Sequence, residues 1–373
     1  MKHRANIHGG NIYQAEEQYG IGIDQVLDYS ANINPLGVPR SLQAAITDNM
    51  NILTCYPDPD YIKARTSLAH YHGVDISNII MGNGATEIIF LLIETLKPRK
   101  VLIPCPSFSE YGQAAVHAGC EVEHYRIKEE QDYILDPDGL IDSIDQDAEM
   151  LILCNPNNPT GQIIKRDSMK TILNACRERG IVVVIDEAFV DFVDEEQNIS
   201  MVDQLEGYLN LFIIKALTKF FAVPGLRLGY GLGSERLIKR ISLKKQPWSL
   251  NNFASLAAEL LTKDSEYIRE TKAWLRTERK RFYNCLGLIE GIKVFEPFGN
   301  FILIKLLSPH ITSSMICERM AQKGILVRNA ENFIFLDKQY IRIAIKDQKA
   351  NDIFIEKFKQ TLKEVEVAGG IHT

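Results

Sequence analysis

Apolar and polar residues alternate along the chain in a pattern that predicts strands and helices in turn. Short runs that are apolar throughout predict buried strands over 78–81, 100–103, 121–125, 150–154, 181–185 and 209–214. Apolar residues at helical spacing predict helices over 41–50, 61–71, 88–96, 108–118, 138–144, 166–179 and 265–286. Strands that are apolar on both faces and separated by helices are typical of a largely parallel, covered sheet. The pattern therefore predicts an α/β fold.

A polar or glycine-rich segment follows most of the predicted strands. These segments are Gly84-Ala85-Thr86, Pro106–Tyr111, Asn155–Gly161, Asp186–Phe189 and the stretch that contains Lys219. In open parallel sheets, ligands bind beyond the carboxyl ends of the strands. We therefore expect these segments to contribute to a single ligand site.

Residues 215–230 contain two groups with suitable chemistry for one cofactor. Lys219 lies among apolar residues, where its charged form is disfavoured and its amine becomes nucleophilic. Arg227 offers a planar fork for a phosphate. An amine for an aldehyde and a cation for a phosphate are the two groups that bind pyridoxal 5′-phosphate. Taken alone, Lys219 is more readily explained as an ordinary solvated lysine.

The remaining segments supply the other groups that this cofactor needs. Asp186 follows a very apolar strand, and a buried carboxylate requires a partner such as a protonated pyridine nitrogen. Asn158 can donate to the ring oxygen, and Phe108 can stack on the ring. A strand, a glycine turn and a helix start suit a phosphate, which predicts a role for Gly84, Ala85 and Thr86. Each residue also has an ordinary explanation as a cap, turn or core residue, but one shared ligand explains all of them.

Composition and charge limit the possible partners. The chain has 373 residues, 46% hydrophobic and 24% charged, a net charge of −6 and a pI of about 5.8. This composition predicts a globular protein of more than one domain and argues against nucleic acid as a partner. No apolar run approaches the roughly 20 residues of a membrane span. Seven scattered cysteines without a C-x-x-C pair indicate reduced thiols in the cytoplasm and no metal site.

Four motifs in order, GNGATE, NPNNPTG, DEAF and LTKxxxxPGLRLGY, resemble those of the fold-type I pyridoxal-phosphate enzymes. The likeness covers nearly the whole chain and is strongest to the histidinol-phosphate aminotransferase-like branch. It implies an aspartate aminotransferase-like fold with a large domain over 40–262 that has a mostly parallel seven-stranded sheet. It also implies a small α+β domain from 1–39 and 263–373. Homodimers with shared active sites are implied too, with Tyr56 reaching the neighbouring subunit's cofactor phosphate.

Within this branch, the segments HGGN, DYSANINPLG, YPD, DEAFVDF and QPWS resemble the L-threonine-O-3-phosphate decarboxylases of cobalamin biosynthesis. The likeness implies a carboxy-lyase that forms CO2 and (R)-1-amino-2-propanol O-2-phosphate, with Lys219 and Asp186 as its catalytic residues. It also implies substrate contacts from His8, Gly9, Asn32, Asn158, Arg328 and Arg342. Phe189 replaces the tyrosine that is usual in the aminotransferases. Ala216 replaces a phosphate-binding hydroxyl residue of relatives, with Thr218 as a candidate substitute.

Two other functions are compatible with the sequence. A histidinol-phosphate aminotransferase of histidine biosynthesis would use the same cofactor residues and also handle a phosphorylated substrate. A regulator with the same fold would be non-catalytic and would usually have a DNA-binding appendage. The sequence shows neither a basic helix-turn-helix before residue 40 nor a basic composition, which favours an enzyme.

Overall fold

The computed structural model describes residues 9–370, which divide into two compact units. The large unit contains Leu36–Asn158 and Gln162–Lys272. The small unit contains the residues up to Pro35, Pro159–Gly161 and the residues from Ala273 onward. The domain limits at 40 and 262 stay a prediction.

Strands and helices alternate along most of the described chain. The strands are β1 (Leu27–Asp28), β2 (Ile79–Asn83), β3 (Lys100–Cys105), β4 (Glu121–Arg126), β5 (Ala148–Cys154), β6 (Val182–Asp186), β7 (Leu211–Ala216), β8 (Leu228–Gly233), β9 (Ile292–Val294), β10 (Phe301–Leu306), β11 (Ile325–Leu326), β12 (Arg328–Asn329) and β13 (Tyr340–Ala344). The α-helices are α1 (Ile12–Tyr19), α2 (Arg40–Asp48), α3 (Ile62–His72), α4 (Ala85–Leu96), α5 (Glu110–His117), α6 (Pro137–Asp142), α7 (Arg166–Glu178), α8 (Glu235–Ser242), α9 (Asn252–Leu260), α10 (Ser265–Gly287), α11 (Ser313–Ala321) and α12 (Gln348–Gly370). No described helix is long and apolar enough to cross a membrane.

The large unit is built on a seven-stranded sheet in the order β2-β8-β7-β6-β5-β3-β4. Its strands are parallel except β8, which runs antiparallel to both β2 and β7. Side chains of β3, β6 and β7 are buried on both faces, which explains why these strands are apolar throughout. The predicted α/β class, the mostly parallel seven-stranded sheet and the six predicted strands are confirmed.

The apolar pattern did not predict strand β8, because three of its residues are glycines. A Cβ on Gly229 would lie 2.3 Å from the Ala85 nitrogen, and a Cβ on Gly231 would lie 2.4 Å from the Phe212 ring. The glycines therefore let α4 and the large Phe212 side chain pack directly on the strand. Glycine here reflects close packing and not a turn.

Two helices begin two or three residues away from their predicted starts. Helix α4 begins at Ala85 and not at Ile88, because Gly84 precedes it as the cap residue and the Glu87 carboxylate accepts from the Asn83 N–H at 2.6 Å. Helix α5 begins at Glu110, two residues later than predicted. The long predicted helix over 265–286 is confirmed as α10.

The small unit contains an antiparallel sheet in the order β12-β13-β10-β9 and a parallel pair, β1 with β11. A buried polar network joins its helices to the segment after β1. The Tyr29 hydroxyl donates to Asn351 Oδ1 at 3.0 Å, and Asn351 Nδ2 donates to Glu278 Oε1 at 2.8 Å. Glu278 also accepts two hydrogen bonds from Arg281 Nε and Nη2 at 2.8 and 2.6 Å. Asn351 is therefore the central residue of the network.

We expect Asn351→Ala to lower the free energy of unfolding by about 2–4 kcal/mol, because it removes the acceptor of the buried Tyr29 hydroxyl and one of the hydrogen bonds to Glu278. Denaturant unfolding followed by circular dichroism measures this change. Gln360→Ala on the same helix is the control, since Gln360 is exposed and bonds only Glu356 at 3.2 Å. A loss equal to that of the control would contradict the importance of the network.

Candidate active site

The sheet register brings the predicted cofactor residues of the large unit to one edge. In neighbouring strands, Cys154 pairs with Asp186, and Asp186 pairs with Ile214. Antiparallel β8 begins at this same edge, because its partner positions are Asn83 in β2 and Ala216 in β7. The residues that follow β2, β3, β5, β6 and β7, or precede β8, are the predicted set Gly84, Ala85, Thr86, Phe108, Asn158, Asp186, Thr218, Lys219 and Arg227.

Asp186 is a buried carboxylate at the end of β6, with only 5% of its surface exposed. Its Oδ2 accepts from the Tyr111 hydroxyl at 2.6 Å, and its Oδ1 accepts from the Ala188 N–H at 2.9 Å. Burial raises the pKa of Asp186, while these two hydrogen bonds act to lower it. A nearby cation would favour the ionised form further.

Two predicted ring-contacting residues lie on the neighbouring strand ends. Phe108 packs edge-on against Tyr111 with ring centroids 5.6 Å apart. Asn158 is buried in the loop after β5. That loop is joined to the segment after β3 because Asn157 Nδ2 donates to the Pro106 carbonyl at 2.9 Å. Both residues are therefore held near the strand end that carries Asp186.

Gly84, Ala85 and Thr86 form the start of α4, where free backbone N–H groups and the helix dipole favour an anion. Gly84 has φ of 83°, and a Cβ there would lie 2.6 Å from Arg227 Nη2. The exposed Arg227 guanidinium therefore lies directly over Gly84. The helix start and the arginine together make a cradle suited to a phosphate.

Lys219 lies in the turn after β7, and its side chain is half-buried. The Phe221 N–H donates to the Leu217 carbonyl at 3.1 Å and the Val223 N–H to the Thr218 carbonyl at 3.0 Å, so the turn around Lys219 is fixed. Thr218 and Ala216 are both buried.

The large unit fits pyridoxal phosphate on three observations. A buried carboxylate is present for the pyridine nitrogen, a cradle that excludes a Cβ is present for the phosphate, and a lysine follows β7 for the aldehyde. When bound, this cofactor supplies an electron sink for a bond broken at the substrate Cα. Asp186 would sustain that sink by keeping the nitrogen protonated.

The predicted substrate residues belong to the small unit, except for Asn158. Arg328 and Arg342 are opposite each other on the antiparallel strands β12 and β13, and both are buried. Burial lowers the pKa of both guanidinium groups, and the charge of Arg328 lowers that of Arg342 further. Like charges directly opposite each other destabilise a sheet. An anionic ligand would offset this repulsion.

Gly9 and Asn32 are held close to these arginines through Ser30. Arg342 Nη2 donates to the Ser30 carbonyl at 2.6 Å, and a Cβ on Gly9 would lie 2.1 Å from that oxygen. Asn32, which follows Ser30 by two residues, is also buried. His8, the remaining predicted contact, lies outside the described residues. The structure therefore brings Gly9, Asn32, Arg328 and Arg342 together.

Tyr56 is a largely exposed residue of the large unit. It is 82% exposed and packs against the Trp248 ring, with centroids 5.0 Å apart. Such a position suits a contact with another molecule. In the described part of the chain, no cluster of His, Cys, Asp and Glu side chains could hold a metal ion.

Sequence analysis missed two residues that shape the cofactor site. Tyr111 holds Asp186, and only its spacing of three residues from Phe108 on a helix start could have indicated it. Gly229 lets β8 approach the Ala85 nitrogen, but its role depends on a strand that the apolar pattern did not reveal.

We expect Tyr111→Phe to weaken cofactor binding about tenfold, because a hydrogen bond to a charged group contributes roughly 1.5 kcal/mol. Loss of this donor raises the pKa of Asp186 further and weakens its pairing with the pyridine nitrogen. Titration of the cofactor-free protein with pyridoxal phosphate, followed by visible absorption, measures the affinity. Tyr208→Phe is the control, since its hydroxyl donates at 3.1 Å to Asn174. Equal affinities of Tyr111→Phe and wild type would contradict the role of Tyr111.

The chain is similar along most of its length to known proteins. A threonine-phosphate decarboxylase of Salmonella typhimurium is 37% identical over 356 residues, which are 95% of this chain and 96% of that protein. A putative threonine-phosphate decarboxylase of Caldanaerobacter subterraneus is 38% identical over 357 residues, 96% of this chain and 94% of that protein. The predicted resemblance to these decarboxylases is confirmed.

A solved structure of similar fold is the histidinol-phosphate aminotransferase from Clostridium acetobutylicum. It is 38% identical, has a TM-score of 0.85, and the match covers 91% of this chain and 100% of that one. The sequence profile of the family described as Aminotransferase class I and II matches residues 24–358. Pyridoxal phosphate is the cofactor of this family, so the predicted cofactor is confirmed. The chain belongs to the aminotransferase class I and II family.

Proposed function

We propose that this chain decarboxylates L-threonine O-3-phosphate to (R)-1-amino-2-propanol O-2-phosphate and CO2. The observation that carries the proposal is the pair of buried arginines, Arg328 and Arg342, opposite each other on β12 and β13. Two buried cations side by side are stabilised by a ligand with two anionic groups. Threonine phosphate has a carboxylate and a phosphate, which we assign to Arg342 and Arg328 respectively.

The surroundings of the two arginines support this assignment. Arg328 Nη2 donates to Asn332 Oδ1 at 2.6 Å, and its guanidinium lies 5.2 Å from the Phe333 ring centroid. Both guanidinium groups therefore have fixed positions before a ligand binds. Preorganised donors bind an anion with a smaller entropic cost than mobile ones.

A second candidate function is the histidinol-phosphate aminotransferase, since a similar solved structure bears that name. Two relatives at comparable identity bear the name threonine-phosphate decarboxylase. Phe189 favours the decarboxylase, because a phenylalanine cannot donate to the cofactor's ring oxygen as the usual tyrosine of the aminotransferases does. Phe189 is buried and packs against Phe192 with ring centroids 6.4 Å apart.

The proposed roles of the chain's own residues follow from their chemistry. Lys219 holds the cofactor aldehyde and later delivers a proton to Cα, in the position that CO2 has left. Asp186 keeps the pyridine nitrogen protonated, and Asn158 contacts the ring oxygen and the substrate. Arg227, with the helix start at Gly84, holds the cofactor phosphate through charge-assisted hydrogen bonds.

We expect the purified protein with pyridoxal phosphate to release CO2 and phosphorylated aminopropanol from L-threonine O-3-phosphate without any keto acid. Lys219→Ala should lower turnover at least about 1,000-fold, because the amine and the proton donor are lost together. Product formation is measured by mass spectrometry. Lys263→Ala, a lysine of the same unit outside the proposed site, is the control.

Two outcomes would contradict this prediction. Glutamate formed from 2-oxoglutarate and histidinol phosphate, with no CO2 from threonine phosphate, would assign the chain to the aminotransferases. Full activity in Lys219→Ala would refute the lysine assignment in both functions.

We also propose a homodimer in which Tyr56 reaches the cofactor phosphate of the neighbouring subunit. An exposed apolar patch of the large unit supports this, consisting of Met50, Leu53, Tyr56 and Trp248 with 53, 61, 82 and 48% of their surfaces exposed. Contiguous exposed apolar side chains are typical of protein interfaces. We propose the cytoplasm as the compartment, since all seven cysteines are free thiols.

We expect Leu53→Glu and Trp248→Glu each to convert the dimer to monomers, because a charge buried in an apolar interface is strongly unfavourable. Sedimentation velocity measures the mass. Leu243→Glu is the matched control, since Leu243 is an exposed leucine of the same unit (87%) outside the patch. Unchanged dimers in both patch variants, or a wild-type monomer, would contradict the proposed interface.

A further inference from the structure

The segment that carries Asn32 is attached to the small sheet by three hydrogen bonds to its main-chain carbonyls. The Tyr29 carbonyl accepts from the Ala344 N–H at 2.9 Å, and the Ser30 carbonyl accepts from Arg342 Nη2 at 2.6 Å. The Asn32 carbonyl accepts from Asn300 Nδ2 at 3.0 Å. The third bond is donated by the side-chain amide of Asn300, a residue that was not among the predicted site residues.

Asn300 is itself rigidly held. It precedes β10, has no exposed surface, and its main-chain carbonyl accepts from the Ile345 N–H at 2.8 Å. Its backbone is thus fixed at the end of β13, while its side chain reaches the segment of Asn32. The Asn300 amide therefore determines where the Asn32 main chain lies.

Each of the two asparagines has an amide oxygen that remains available. Within the described residues, neither Asn32 Oδ1 nor Asn300 Oδ1 accepts a hydrogen bond, although Asn32 is only 3% exposed. Buried polar atoms are nearly always paired, so a native site of this kind calls for a donor from a ligand or an ordered water. Both amides occur next to Ser30, which Arg342 contacts.

We propose that Asn300 is a positioning residue for substrate binding, acting through Asn32. Its Nδ2 fixes the Asn32 main chain, and this orients the Asn32 amide toward a ligand whose anionic groups bind Arg328 and Arg342. Both asparagines belong to the small unit, whereas the predicted cofactor residues belong to the large unit. The inference rests on the proposed function, because Asn32 acts here as a substrate contact.

We expect Asn300→Ala to raise KM about tenfold while kcat changes less than about threefold, since an interaction that serves binding alone changes KM. Asn300→Asp keeps the size of the side chain but replaces the donor with an acceptor that repels the Asn32 carbonyl. It should raise KM at least as much without creating a cavity. Affinity for pyridoxal phosphate, measured by visible absorption, should remain that of wild type in both variants.

Asn210→Ala is the matched control. Asn210 Nδ2 also donates to a main-chain carbonyl, that of Ile181 at 3.0 Å, and its Oδ1 accepts no bond within the described residues. It belongs to the large unit, at the start of β7 and away from the proposed site. We expect the KM of Asn210→Ala to equal that of the wild-type protein.

A double-mutant cycle distinguishes positioning from a general structural effect. If Asn300 acts through Asn32, Asn32→Ala/Asn300→Ala should have the same KM as Asn32→Ala alone. Additive effects, an unchanged KM in Asn300→Asp, or a parallel loss of cofactor affinity would each overturn the proposal.

The same experiment keeps failure of this inference separate from failure of the proposed function. The cycle uses L-threonine O-3-phosphate if the wild type decarboxylates it, and histidinol phosphate if the wild type transaminates that compound. Transamination by the wild type would refute only the decarboxylase, and the cycle would still decide the role of Asn300. Turnover of neither substrate would refute both.

Discussion

A buried carboxylate must be paired, and the pairing of Asp186 is the constraint on which the cofactor site depends. Asp186 ends a strand in the middle of an apolar sheet, where burial raises its pKa. The Tyr111 hydroxyl and the Ala188 N–H stabilise its ionised form, but both of these donors are uncharged. The protonated nitrogen of pyridoxal phosphate meets this need. Phe108 and Asn158 lie on neighbouring strand ends, so one apolar sheet positions the carboxylate and the groups that surround its partner.

The small unit buries positive charges where the large unit buries a negative one, and a ligand of opposite charge would stabilise them in the same way. Arg328 and Arg342 place two positive charges opposite each other in buried positions. Hydrogen bonds from Arg342 to Ser30, and from Asn300 to Asn32, join these charges to the N-terminal segment. A ligand with two anionic groups would offset the repulsion, and a donor group on that ligand could bond the amide oxygens of Asn32 and Asn300. In each unit, a ligand of opposite charge would stabilise buried charged side chains.

The choice of reaction is not fixed by the cofactor residues, which the proposed decarboxylase and the aminotransferase share. The bound cofactor would supply the electron sink for either reaction, so the choice between them would depend on how the chain's own residues hold the substrate carboxylate. Arg342 and the segment around Asn32 are the groups that we propose hold it. Phe189, which lacks a donor for the ring oxygen, is the residue by which we favour the decarboxylase over the aminotransferase.

The sequence by itself determined the α/β class, six strands of the sheet and the order of the cofactor segments, because apolar runs and the polar groups that follow them are local features. The resemblance to a known family also predicted the cofactor. Only the tertiary structure revealed β8. Its glycines interrupt the apolar pattern of a strand, and they are needed because Ala85 and Phe212 pack closely against it. Tyr111, Asn300 and the facing arginines likewise depend on contacts between residues far apart in the chain. Local sequence patterns indicate which residues are buried and where strands and helices lie. Which groups become hydrogen-bond partners, and which charges face each other, is decided only when distant segments pack together.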